Sequence, residues 1–172
     1  MIRASHIVTA VIVLLTILPG MVLGFTDEIA RETLRGIKGV RVAVGVIKPE
    51  IERDGLSRDQ ILTDVELKLR MARLNVLTSE DGYSDKAFLV VTPHILKHHE
   101  LSSQLQGDMY LFSIYLELYQ AVYLMRNKKR TLAITWSTGI YYGIDSDLDK
   151  IRRRIKDQVD VFLNAWLSVN PK

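Results

Sequence analysis

Three of the chain's four histidines fall in one short stretch, HILKHHE: His94, His98 and His99, followed directly by Glu100. Imidazole and carboxylate are zinc ligands, and on a helix His94 and His98 would share a face, with Glu100 nearby. That is the chemistry of a small metal-dependent hydrolase. The HExxH order of a metalloprotease is missing, however, and Pro93 disfavours a helix at this point. A solvated loop carrying surface histidines is the simpler reading.

A second group is aromatic. In YLFSIYLELYQAVYLM (110–125), tyrosines recur with Glu117 among them. Tyrosine offers rigid, amphipathic contact area, so Tyr115, Glu117, Tyr119 and Tyr123, with Tyr141 beyond, form a candidate surface for a protein partner. The plainer alternative is cross-strand packing on a half-solvated sheet face. No Walker loop, GxSxG elbow, GxGxxG fingerprint or paired catalytic carboxylates occur. Ser57 suits a helix cap better than a nucleophile. No cofactor is implied, and a catalytic residue is not assigned.

The chain has no cysteine, which excludes disulfides, thiolate metal sites and a thiol nucleophile. It carries 23 basic and 20 acidic residues. So small a surplus is no nucleic-acid footprint. Residues 1–24, MIRASHIVTAVIVLLTILPGMVLG, join a basic Arg3, an apolar run from Ile7 to Leu18, Pro19-Gly20 and small-residue spacing at Val22 and Gly24. That is the layout of a signal peptide cleaved after Gly24. The alternative is an uncleaved anchor, although the apolar run is short of the roughly 20 residues of a spanning helix. The expected division is a signal peptide over 1–24 and a single domain over 25–172, periplasmic or secreted.

The elements that must position the candidates are set by periodicity. Read as a helix, residues 110–125 would span only about 24 Å. Read as a strand, they sort by parity. Phe112, Ile114, Leu116, Leu118, Val122 and Leu124 share one face; Ser113, Tyr115, Glu117, Tyr119 and Tyr123 share the other. TLAITWSTGIYYGI (131–144) sorts likewise, with Leu132, Ile134, Trp136, Ile140, Tyr142 and Ile144 on an apolar face. RNKKR between them is a hairpin turn. The expected register sets Leu124 opposite Leu132, Leu116 opposite Ile140, Tyr119 opposite Ser137 and Tyr115 opposite Tyr141. Strands this long call for a bulge or strong coiling, expected near Gly139. Trp136 is expected in the core.

GVRVAVGVI (39–47) reads as a strand with Val40, Val42, Val44 and Val46 on one face, ended by Lys48-Pro49. A helix comes next. Ser57 and Gln60 make a capping box, Ile61, Val65, Leu69 and Ala72 a buried stripe, and Asn75 a left-handed stop. Val76-Leu77 starts a short strand. AFLVVT (87–92) is another, which Pro93 ends or demotes to an edge. The last element, about 148–168, is an amphipathic helix in which Leu148, Ile151, Ile155, Val159, Phe162 and Trp166 recur. A short helix with Thr26 as cap precedes the first strand. The fold class is α+β: a mostly antiparallel sheet with two main helices packed on one face.

The run GVRVAVGVIKPEIERDGLSRDQILTDVELKLRMARLNVL, with TLAITWSTGIYYGI and the terminal helix, resembles uncharacterised exported bacterial proteins. More distantly, the element order resembles the amino-terminal domain of the periplasmic protein TolB. The resemblance implies an envelope accessory module that binds another protein, without the propeller that follows this domain in TolB. The expectation is therefore a non-catalytic exported binding or assembly module, contacting a protein through a sheet face or edge. A metal-dependent hydrolase built on the histidines is the alternative.

Overall fold

The computed structural model describes residues 27–78, 87–98, 103 and 107–171. The expected signal segment and the cap at Thr26 lie outside them. The described chain runs as α1 (27–32), β1 (Gly39–Val44), α2 (Pro49–Arg53), α3 (Arg58–Met71) and β2 (Asn75–Val76). Then come β3 (Ala87–Lys97), β4 (Tyr110–Tyr123), β5 (Arg130–Asp145) and α4 (Leu148–Val169). The strands form a five-stranded sheet in the order β2-β1-β3-β4-β5. β1 lies parallel to β2 and β3, whereas β3, β4 and β5 form a long antiparallel ribbon. The chain is α+β.

α3 starts where its capping box dictates. The Ser57 hydroxyl accepts from the Gln60 amide at 3.2 Å, and the Gln60 side chain accepts from the Ser57 amide at 3.0 Å. It ends in a Schellman turn, with the Arg73 amide on the Arg70 carbonyl at 2.9 Å and the Leu74 amide on the Leu69 carbonyl at 3.0 Å. The left-handed residue is Arg73 (φ 64°), not Asn75, which starts β2. The geometry is set by burial. Leu69 and Leu74 are both in the core, on either side of the turn at Arg73.

α4 buries Leu148, Ile151, Ile155, Val159, Phe162 and Trp166 as its periodicity requires, and Leu163 and Val169 besides. Arg152 grips Asp64 of α3 through two hydrogen bonds, 2.6 and 3.0 Å, and Lys68 pairs with Asp160. α3 packs on β1, α4 on β4 and β5, and the helices on each other. Between them and the sheet lies one core containing Val40, Leu89, Val91, Ile114, Leu116, Leu118 and Trp136. Trp136 meets Phe162 edge to face at 5.2 Å, so a ring fills the space behind it.

Two elements depart from expectation. β1 ends at Val44, leaving Val46 exposed, and Pro49 opens α2 rather than merely ending a strand. Its missing N–H is one that no helix uses in its first turn. β3 runs on through Pro93 to Lys97 and pairs with β4 throughout. The β1 pairing stops at Val91, so Pro93 lacks its N–H where that side of β3 has no strand neighbour.

The larger correction concerns β5. The observed register pairs Leu118 with Trp136, Tyr119 with Ile134, and Tyr115 with Ile140, shifting between Tyr115 and Glu117 and again between Leu118 and Tyr119. Each shift adds a residue to β5, one at Thr135 and one at Thr138-Gly139, where Gly139 takes φ 75°. The expected bulge near Gly139 is present; the one at Thr135 was not foreseen. Each extra residue reverses the parity of the strand beyond it. Trp136 therefore turns toward the helices, whereas Leu132, Ile134, Ile140, Tyr142 and Ile144 are exposed. The expected continuous apolar face does not include them. Leu124 is likewise exposed, and Val122 only half-buried.

Candidate functional site

The side of the sheet away from the helices is the candidate site. Phe88, Val90, Thr92, His94 and Leu96 of β3 stand beside Leu111, Ser113, Tyr115, Glu117 and Tyr119 of β4 by register. β5 adds Leu132, Ile134, Ile140, Tyr142 and Ile144 through its own pairing. In the middle the side chains shield one another. Tyr115 is half-buried, with its ring edge to face with His94 at 5.7 Å. The Tyr119 hydroxyl donates to Glu117 Oε2 at 3.1 Å, and this carboxylate holds the tyrosine's pKa above its ordinary value. Tyr123 is 68% exposed opposite Arg130.

Tyr141 does not belong to this row. It lies on the helix side, pairs with Ile114, and stacks on Phe112 with centroids 6.1 Å apart. Gly143 beside it has no room for a side chain: a Cβ there would stand 2.8 Å from the Phe112 ring. Tyr142, 78% exposed, takes the place expected of Tyr141. Sequence reasoning missed the apolar flank of Leu96, Leu132, Ile134, Ile140, Tyr142 and Ile144. The signal was Gly139, since a bulge there inverts residues 140–144. Between β3 and β5 the face dips into an open groove of about 530 Å³ bordered by His94, Leu96, Leu111, Ser113, Tyr142 and Ile144.

From His94 to Lys97 the histidine stretch is strand, not helix. His94 lies in β3 and His98 just past its end, where its amide donates to the Met109 carbonyl at 2.7 Å. In extended chain these two are about 13 Å apart, too far to share one zinc. His99 and Glu100 lie outside the described residues. Among the described residues, no three His, Cys, Asp or Glu converge as a metal site.

One polar cluster sits on the helix side, at the α2 end of the ribbon. Lys97 Nζ reaches Asp54 at 3.0 Å and Asp108 at 2.8 Å, and the buried Tyr110 hydroxyl donates to Asp54 at 2.8 Å. Lys97, then Tyr110, hold the Asp54 carboxyl below its ordinary pKa. Burial, then Asp54, pushes the Tyr110 phenol up to about 12. Among the described residues no buried side-chain polar atom lacks a partner, and the cluster ties Asp54, the cap residue of α2, to the ribbon.

No family model matches the chain, and no curated protein does. Among solved structures it is similar to a minor lipoprotein from Acinetobacter baumannii, at 10% identity, covering 79% of this chain and 85% of that one, with a TM-score of 0.31. No family model supports the resemblance to the TolB amino-terminal domain.

Proposed function

We propose that this chain is a non-catalytic binding module of the bacterial cell envelope, exported by its amino-terminal segment, that holds a protein partner against the open face of its sheet. One observation carries the reading. Both main helices cover one side of the sheet, while the other presents exposed Leu96, Leu132, Ile134, Ile140, Tyr142 and Ile144 beside a tyrosine row. A contiguous apolar surface of this kind marks an interaction site. The aromatic centre and half-buried Glu117 supply rigid contact and a polar anchor. Export is supported by the layout of residues 1–24, and no helix among the described residues is long and apolar enough to cross a membrane.

The test is a crosslinked pull-down from the native envelope fraction, comparing the wild type with a Tyr115→Ala, Tyr119→Ala double variant of unchanged circular dichroism. The same partner should be captured by the wild type and lost from the variant. Equal capture by both removes the face from the account. Mass spectrometry of the same sample reads whether residues 1–24 have been cleaved.

A further inference from the structure

We propose that β5 is a self-pairing edge. β5 of one copy adds antiparallel to β5 of a second copy, fusing two five-stranded sheets into one. This rests on the reading of the sheet face and edge as contact surfaces, and it names the occupant of the edge. Among the described residues β5 is the outermost strand, 16 residues long, with β4 on one side only. From Thr131 to Ile144 it carries no charge and no proline, the residues that ordinarily block edge pairing.

The strand is complementary to itself about Ser137. With Ser137 on the two-fold axis, Ile134 falls opposite Ile140 of the second copy, and Leu132 opposite Tyr142. Each pair joins two open-face residues. On the helix side Ala133 meets Tyr141 and Thr131 meets Gly143, small against large or backbone. A slip of one residue would oppose open-face to helix-face side chains along the whole ladder. The bulges agree with this register as well. Thr135 falls opposite Gly139 of the second copy, so the extra residues of the two strands face each other instead of breaking the pairing.

The charges agree too. Lys129 in the hairpin turn falls opposite Asp145, whose own contacts, Lys150 at 3.6 Å and the Asp147 amide at 3.1 Å, both use Oδ1. The pairing is isologous and closes as a dimer. It also makes the open apolar faces of the two copies continuous.

The chain lacks cysteine, so Ser137→Cys introduces a unique thiol on the axis. Facing Cβ atoms of antiparallel strands lie within about 5.5 Å, close to disulfide reach. The purified protein should sediment as a dimer at micromolar concentration. Mild oxidation should convert Ser137→Cys to a covalent dimer and leave Ser168→Cys, exposed on α4, uncrosslinked. In the unmodified protein, amide exchange in β5 should slow roughly tenfold on raising the concentration well above the dissociation constant. A monomer with concentration-independent exchange in β5 overturns the proposal, as does a dimer that crosslinks through Ser168→Cys instead. Partner capture that persists with a monomeric protein would sink the dimer alone and leave the open-face reading standing.

Discussion

Trp136 occupies the one inward-facing position that the two bulges of β5 create. Flanked by extra residues at Thr135 and Gly139, it reaches Phe162 and the core while its even-numbered neighbours look outward. Trp136→Ala should cost about 3–5 kcal/mol of stability in urea titration, through lost burial and the cavity left behind. The same change at Tyr142, which touches solvent, should cost no more than about 0.5 kcal/mol. Tyr110 makes a prediction in pH. Its folded pKa, about 12, lies above the ordinary phenol value, so its contribution is complete below pH about 10 and is lost as pH rises through 12. The melting temperature of Tyr110→Phe should therefore fall less between pH 10 and 12 than that of the wild type. Asp54 acts with the opposite sign: its carboxyl is held low, so its contribution stands above pH about 4 and fades below it.

The helices were readable from sequence because a 3.6-residue repeat survives small errors. Ile61, Val65 and Leu69, and Leu148 through Trp166, are buried as their spacing demands. Ser57→Ala should cost about 1 kcal/mol, measured by chemical denaturation, because it removes the hydroxyl that accepts from the Gln60 amide and leaves only the Gln60 half of the capping box. Arg73→Gly should gain up to about 1 kcal/mol in the same assay, since glycine enters the left-handed region without a Cβ penalty. Asn75 was the better candidate for that turn by residue type; the burial of Leu74, a tertiary demand, moved it to Arg73. Strand parity is less forgiving, since a period of two is inverted by a single inserted residue. β4 has none and its buried side, Phe112 to Leu118, was legible. β5 has two, and so Tyr141 and the apolar flank were placed on the wrong sides. Pro93 was misjudged for a different reason: its tolerance depends on where β1 stops, which no local pattern records.

At the scale of the molecule, two layers enclose one core, and among the described residues both main helices lie on the same side of the sheet. That asymmetry is what the proposed envelope role and the paired edge both draw on. Since the protein lacks cysteine, single thiols can map the face without background. Leu132, Ile140, Tyr142 and Ile144, each changed to Cys, can be compared with Ala133→Cys on the helix side by the rate of maleimide labelling, in the purified protein and in the native envelope. The four open-face thiols should label fast in the purified protein and be strongly protected in the envelope, while Ala133→Cys labels slowly. Labelling at the same fast rates in both settings would mean that nothing covers the open face in place, and the proposed contact surface would be wrong.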